Sequence, residues 1–419
     1  VEYSHMASQN DNKNLVCPFC SLHCDDVSVT TDNNQYKVNE SNNVCAKKID
    51  TYNLNNKSML LPKKGAKVVS LSSALEDIRN IIKGHNETLI INHGVDLSGV
   101  RSMLNFASQK NYIIDHINSK FLYQNIGVVQ RTGYMATSLT EAKNRADVVM
   151  VFGNQIFDKS PRLLEKVLGA KNSLYMKKKK ELILIGDFSE NIIKEIKKKC
   201  NVTNVKLDLD LTNDFLNATS LDSSEAVKGL KKSKLSNIKN IINKSKYLVA
   251  IWLASDFIKA KNPKKIISSI SKYIVDRNIL SRAACMPISG SLADATSSQA
   301  LTWTTGFSSR IKHSEGTFKH DRNAFDSKHL IDNNNVDVVI HISTISPDKL
   351  KLNKNVKNIV LGHPNTTFTM APDIFIPVGI PGIDYEGIMF RTDNVVSVAL
   401  KSIRGIKLPT TQNILDKLA

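Results

Sequence analysis

Residues 147–154 read Asp-Val-Val-Met-Val-Phe-Gly-Asn, and this stretch sets the fold class. The apolar run from Val148 to Phe152 is too short for a helix of ordinary globular length. It is also too uniformly apolar for a strand with one wet face. A short apolar run stopped by a glycine fits a strand buried on both sides. Parallel strands read this way because helices cover both faces of their sheet.

The chain on either side repeats the theme. Upstream, Ala74–Ile82 is an amphipathic helix pattern, and Thr88–Ile91 is a buried strand whose His93-Gly94 turn leads into a helix around 99–108. Downstream, a helix is expected near Pro161–Leu168, then a strand at Leu182–Ile185 ending in Gly186-Asp187, then a helix at Glu190–Lys199. Residues 210–240 are polar and read as a helix and linker. The second half gives a strand at Tyr247–Trp252, a helix at Lys264–Asp276, strands at Val336–His341 and Val356–Leu361 flanking a short helix, and a last strand at Ile374–Val378. Short apolar strands alternating with helices predict an α/β fold with two Rossmann-like parallel-sheet domains.

Ligands of such sheets sit at the carboxyl ends of the strands. Those ends carry Gly94, Gly153-Asn154-Gln155, Gly186-Asp187 and Gly362-His363-Pro364. Loops of this kind suit phosphate groups, because bare amides approach oxygen closely. Neither a G-x-G-x-x-G nor a G-x4-G-K-[ST] pattern is present, so a dinucleotide fingerprint and a P-loop are both unsupported.

The amino-terminal region reads differently. Cys17, Cys20, Cys24 and Cys45 follow the spacing C-x2-C-x3-C-x20-C, and the whole chain has only 6 cysteines. Thiolates at such intervals converge on one soft metal centre when a tight turn folds the backbone around it. The expected group is a 4Fe-4S cluster or zinc, since zinc accepts four thiolates equally well. His23 and Asp25-Asp26 lie in or beside the motif and read as structural. Cys200 and Cys285 are isolated and read as small buried apolar residues.

Val1–His5, before Met6, read as a vector remnant and are left out of fold reasoning. Residues 6–65 form the expected Cys-cluster domain, with short strand patterns at Val27–Thr30 and Tyr36–Val38 and a boundary at Leu61–Gly65. Residues 66–240 are the first α/β domain and 241–419 the second. The composition, 41% hydrophobic and 23% charged over 419 residues, is that of a water-soluble chain with sizeable cores. No apolar run approaches the roughly 18 residues of a membrane helix. Bunched cysteines and no visible leader suggest a reducing cytoplasm. The net charge of +18 has lysine clusters at Lys177–Lys180, Lys197–Lys199 and Lys231–Lys234. These read as a solvated surface, with a polyanionic partner as the alternative. No aromatic stripe or binding module accompanies them, so no nucleic-acid partner is expected.

Four segments taken together resemble a known family. Cys17-Pro-Phe-Cys20-Ser-Leu-His-Cys24-Asp25-Asp26 resembles the cluster motif of the B subunit of formylmethanofuran dehydrogenase. Glu141–Asp147 with the following strand, Gly153 and Pro161-Arg162 resembles its central motif. Ala300–Phe307, with Trp303 and Gly306, resembles its W-x-T-G segment. Ala371–Gly387 followed by Arg391-Thr-Asp393-Asn-Val395 resembles its carboxyl-terminal signature. The order is kept across nearly the whole chain.

The resemblance implies a molybdopterin-oxidoreductase-like fold. Active members hold a 4Fe-4S cluster and a tungsten or molybdenum bis-pterin, with a metal-bound Cys or selenocysteine a dozen or so residues before the Gly133-Tyr134 dipeptide. Here that stretch reads Phe121-Leu-Tyr-Gln-Asn-Ile-Gly-Val-Val-Gln-Arg-Thr132, and no Cys lies between Cys45 and Cys200. No tungsten or molybdenum pterin is therefore expected. The departure matches a second branch, the formyltransferase/hydrolase complex of methylotrophic bacteria, whose B subunit lacks the pterin site. That branch implies a catalytically silent subunit with no catalytic residues of its own. Its partners would be zinc amidohydrolase-like A, C and formyltransferase D subunits, and a polyglutamate-bearing methanofuran-type carrier reached through the complex. The other reading is an active pterin-dependent dehydrogenase.

Overall fold

The computed structural model describes residues 13–32, 35–38, 45, 60–171, 173–175, 178–221, 223–289, 293–404 and 406–419. In chain order the strands are β1 (Lys13–Leu15), β2 (Val27–Asp32), β3 (Gln35–Val38), β4 (Lys63–Lys64), β5 (Lys67–Val68), β6 (Thr88–Asn92), β7 (Ile113–His116), β8 (Val148–Phe152), β9 (Glu181–Ile185) and β10 (Asn201–Val205). They continue as β11 (Tyr247–Leu253), β12 (Arg282–Ile288), β13 (Ile311–Ser314), β14 (Thr317–His320), β15 (Val338–Ser343), β16 (Lys357–Gly362), β17 (Ile374–Pro377), β18 (Gly387–Phe390) and β19 (Ser397–Leu400). The class is α/β, as the sequence predicts.

Two compact units result, and they interleave along the chain. Unit 1 comprises Val1–Ser119, Ser291–Arg391 and Val396–Ala419; unit 2 comprises Lys120–Gly290 and Thr392–Val395. The expected boundaries at 65 and 240 are not where the chain divides. The reason is strand pairing: β6 and β7 join a sheet whose other parallel strands, β15 to β17, come from the far end of the sequence. The described residues of the expected Cys-cluster domain, 13–32, 35–38, 45 and 60–65, fall in unit 1, and the rest of that span lies outside the described residues. In unit 1 Leu15, Phe19, Val27 and Val29 share a core with Ile345, Ile380, Ile383, Met389, Leu400 and Ile403.

Unit 2 has a five-stranded sheet in the order β10-β9-β8-β11-β12, parallel throughout. β8 and β11 are buried along their whole length, which explains their unbroken apolar runs. Asp147 fixes their register, because its carboxylate accepts the Lys246 and Tyr247 amides at 2.8 and 2.9 Å. The helix Leu139–Arg145 feeds β8, and its open carbonyls are met by Lys180. That ammonium donates to the carbonyls of Ala142, Lys143 and Ala146 at 3.1, 2.9 and 2.6 Å. The sequence places Lys180 on a solvated surface, yet it is 1% exposed. A cation at a helix carboxyl end satisfies orphan carbonyls and complements the dipole. Burial lowers its pKa to about 8.

Unit 1 has a nine-stranded sheet in the order β14-β13-β7-β6-β15-β16-β17-β4-β5. Its centre, β7-β6-β15-β16-β17, is parallel; β13 joins β7 and β4 joins β17 antiparallel. The strands expected at Val336–His341 and Val356–Leu361 begin at Val338 and Lys357, and the connection between them forms no helix. The helix expected over Pro161–Leu168 is a short π-type segment, Leu164–Leu168. Among the described residues no helix is long and apolar enough to cross a membrane.

The carboxyl-terminal signature is pinned by one ion pair. Arg404 Nε and Nη2 reach the two Asp384 oxygens at 2.7 and 3.0 Å, and Asp384 also accepts the Ile380 amide at 2.9 Å. Their side chains are 7% and 1% exposed. Removing one partner of such a pair strands the other charge in a poor solvent. Arg404→Ala is therefore expected to lower unfolding free energy by about 3–5 kcal/mol. The double variant Arg404→Met with Asp384→Asn should lose less, and denaturant melts of the three chains check both statements.

Candidate functional site

Each parallel sheet has one place where neighbouring strands send their connections in opposite directions, leaving a crevice at the carboxyl edge. In unit 2 this lies between β8, which leads to β9 and β10, and β11, which leads to β12. In unit 1 it lies between β6, which leads to β7, and β15, which leads to β16 and β17.

The unit 2 crevice is filled by Asp256. Gly153, with φ +89°, follows β8 and leaves its Cα bare. A side chain there would meet the Asp256 carboxylate at 2.3–2.5 Å, so that carboxylate occupies the space above the glycine. The Gln155 amide donates to Asp256 Oδ1 at 3.3 Å, while Oδ2 is buried with no hydrogen-bond partner among the described residues. Burial raises its pKa to about 7, against the Gln155 amide, with Asp158 adding to the rise. No sequence motif announces Asp256. Its role follows from being three residues past the end of a switch-point strand.

The unit 1 crevice is filled by histidine and by the chain's own carbonyls. His93 Nε2 lies 3.1 Å from His341 Nδ1, across 248 residues of sequence. The Gly94 carbonyl accepts both the amide and the hydroxyl of Thr344, each at 3.0 Å. Asp96 caps the following helix Leu97–Lys110, and Tyr385 from the carboxyl-terminal signature donates to its Oδ1 at 2.9 Å. Gly387 of the same signature lies against Asp96, where an added Cβ would sit 3.3 Å from Oδ2. His341, the last residue of the strand expected from the sequence, lies inside β15, 4% exposed. Burial lowers its pKa to about 4, against a bond to Asn358. His93 is pushed well below the usual imidazole range by burial, with His341 and then His116 adding to it.

The cysteine motif forms a closed loop at the unit 1 core. The Cys17 amide donates to the Cys24 carbonyl at 2.8 Å, and the His23 amide donates to the Cys20 carbonyl at 3.0 Å. Cys20 is pushed up by burial first and then by Cys17, Cys24 and Cys45, against an amide bond from Leu22. All four thiols thus act on one neighbourhood, although Cys45 is separated from Cys24 by 20 residues. No group of three or more His, Cys, Asp or Glu able to hold a metal is found among the described residues. The chemistry of the set still suits a soft cation: four sulfurs that cannot all ionise together unless positive charge arrives, and one amide already directed at sulfur.

Other predicted residues settle into plain roles. Cys200 and Cys285 are buried at 2% and 0%, with thiols pushed up by burial to about 11 and about 12. Trp303 of the W-x-T-G segment is 65% exposed, edge-on to Phe390 at 5.1 Å. Thr392 and Asp393 accept the amides of Ser289 and Leu139 at 2.7 and 2.9 Å. Arg162 of the central motif pairs with Glu165 at 2.7 Å.

No family model matches the chain. Two curated relatives are each described as the B subunit of tungsten-containing formylmethanofuran dehydrogenase 2. The one from Methanococcus maripaludis is 21% identical over 408 residues, covering 91% of this chain and 92% of its own length. The one from Methanocaldococcus jannaschii is 20% identical over 416 residues, with the same coverage of 91% and 92%. A chain in the crystal structure of the formyltransferase/hydrolase complex (FhcABCD) from Methylorubrum extorquens, in complex with methylofuran, has a similar fold. The TM-score is 0.67 at 15% identity, over 85% of this chain and 97% of that one. The similarity to the B subunit of formylmethanofuran dehydrogenase that the four motifs announce is thus borne out along the chain.

The buried acid and the buried imidazoles titrate in opposite senses. An unfolded imidazole takes its proton near pH 6.5, while folded His341 resists until about 4. Stability present above pH 6.5 is therefore lost as pH falls towards 4, by roughly 3 kcal/mol from this ring. His341→Asn should shrink that acid loss in a pH series of denaturant melts; an unchanged slope would contradict the assignment. Asp256 works the other way: the unfolded carboxyl ionises near 3.8 and the folded one near 7, so stability falls between those values. Asp256→Asn is expected to stabilise the chain by about 1–3 kcal/mol at pH 8 and hardly at all at pH 4.

Proposed function

We propose that this chain is a catalytically silent B subunit of a formyltransferase/hydrolase complex. In that complex a formyl group passes from a tetrahydromethanopterin to a methanofuran-type carrier and is hydrolysed to formate. The chain supports the assembly that does this, in one-carbon metabolism of the cytoplasm, and the reacting groups lie on other subunits: zinc amidohydrolase-like A, C and formyltransferase D. The observation that carries the reading is the absence of any Cys between Cys45 and Cys200, where pterin-bearing relatives place the metal's sulfur or selenium donor. The filled crevices support it. Asp256 lies over Gly153, and the His93–His341 pair with Tyr385 on Asp96 closes the other edge, so the chain's own groups take the polar positions a ligand would use.

The same reading gives the cysteines a holding role. Cys17, Cys20, Cys24 and Cys45 would bind a 4Fe-4S cluster or zinc, and no tungsten or molybdenum pterin would accompany it. Such a metal ties the amino-terminal segment to unit 1 and supplies positive charge beside Cys20, whose sulfur burial disfavours as an anion. Apolar contacts already hold this segment, through Phe19, Val27 and Val29 against Ile380 and Met389. The metal therefore adds to a folded region rather than creating it.

Affinity purification of the tagged chain from its native host, with mass-spectrometric identification of what comes with it, tests the assignment. Recovery of formyltransferase and amidohydrolase-like subunits is the expected result; a chain that purifies alone, or with electron-transfer subunits only, refutes it. In the same preparation Cys20→Ser should lower bound iron or zinc to below about a tenth of the wild-type content. The variant should leave formyl transfer measurable as long as the subunits still assemble.

A further inference from the structure

Among the described residues, His23 is the one non-glycine residue of the cysteine loop with a left-handed backbone, at φ 43°. A side chain in that region costs free energy, and among non-glycine residues Asn, Asp and His are the ones enriched there. The strain is held by two bonds on either side of the loop. The His23 amide donates to the Cys20 carbonyl at 3.0 Å, which closes the Cys20–His23 turn. The His23 ring, 3.1 Å from the Cys17 carbonyl through Nδ1, ties the turn back to the first cysteine. Because the carbonyl only accepts, Nδ1 carries the hydrogen. The ring is 4% exposed, so water does not compete for that bond.

The consequence falls on the thiols. The left-handed residue reverses the chain just before Cys24, whose carbonyl then receives the Cys17 amide at 2.8 Å. With the turn open, Cys24 would follow an extended course and its sulfur would leave the neighbourhood of Cys20. We propose that His23 is a positioning residue for metal capture: it keeps the loop closed, so that the thiols of Cys17, Cys20 and Cys24 need only side-chain movement, and not refolding of the loop, to meet on a metal. This rests on the four-cysteine metal site proposed above and adds what makes that site ready to bind. His23 Nδ1 donates to the Cys17 carbonyl, so the part assigned to it here is to hold the turn.

The test compares the full chain with His23→Ala and His23→Asn, each reduced, freed of metal and titrated with Zn2+ against a chromophoric chelator under anaerobic conditions. Asn tolerates the left-handed region, and its Nδ2 stands where His Nδ1 stands. His23→Ala should bind zinc about 10–100-fold more weakly than wild type, and His23→Asn within about threefold of it. The metal-free melting temperatures of wild type and His23→Asn should coincide. Equal affinity of His23→Ala and wild type overturns the proposal, as does a His23→Asn as weak as His23→Ala, because the effect would then come from ring packing. A wild-type chain that takes up no zinc and reconstitutes no iron–sulfur cluster sinks the four-cysteine site itself, a different result from either. If His23→Ala does not fold, His23→Gln replaces it as the variant whose donor is displaced, with the same loss expected.

Discussion

Parallel pairing of two strands at a point where the chain turns away in both directions is the constraint on which this structure depends. It occurs twice, between β8 and β11 and between β6 and β15. Parallel ladders need both faces covered, so their residues are apolar and their chemistry is confined to the carboxyl ends. Whatever the ends carry decides what the fold does. Here one end carries an aspartate seated over a glycine, and the other a pair of imidazoles with a tyrosine on the helix-capping aspartate. Hydrogen bonds in these places run between parts of the chain, so each carboxyl edge joins segments distant in the sequence.

The same logic explains where stability is concentrated. Asp147 joins the entrances of β8 and β11, Lys180 closes the helix that precedes β8, and the Asp384–Arg404 pair sets the segment that reaches back to Asp96. Two of the four family-like segments, the central one through Asp147 and the carboxyl-terminal one through Asp384, therefore serve the assembly of the sheets in this chain. The cysteine loop rests on a core shared with the carboxyl-terminal signature. That sharing gives a physical reason for the two segments to be kept together: Leu15, Phe19, Val27 and Val29 bury their apolar side chains against Ile380, Ile383 and Met389.

Much of the fold is legible in the sequence because strands buried on both faces leave a plain mark. Val148–Phe152, Leu182–Ile185 and Tyr247–Trp252 stand out as apolar runs closed by small or polar residues, and each is a strand. Interleaving of the two units is not legible, because pairing of β6 with β15 is a contact between residues about 250 positions apart with no local signature. Lys180 escapes for a related reason. In a run of lysines, nothing local distinguishes the one whose ammonium meets three carbonyls. His341 and Asp256 are hidden as well, since burial and partners rather than residue type make them unusual. The spacing of Cys17, Cys20 and Cys24 is readable; the role of His23 between them needs the backbone angle.

The proposed role requires this fold to stand without the tungsten its curated relatives are named for. Elemental analysis of the natively purified, subunit-complete assembly tests it most directly. Iron or zinc in proportion to the four cysteines is expected, with tungsten and molybdenum at background. Tungsten or molybdenum present in stoichiometric amount with this chain would contradict it.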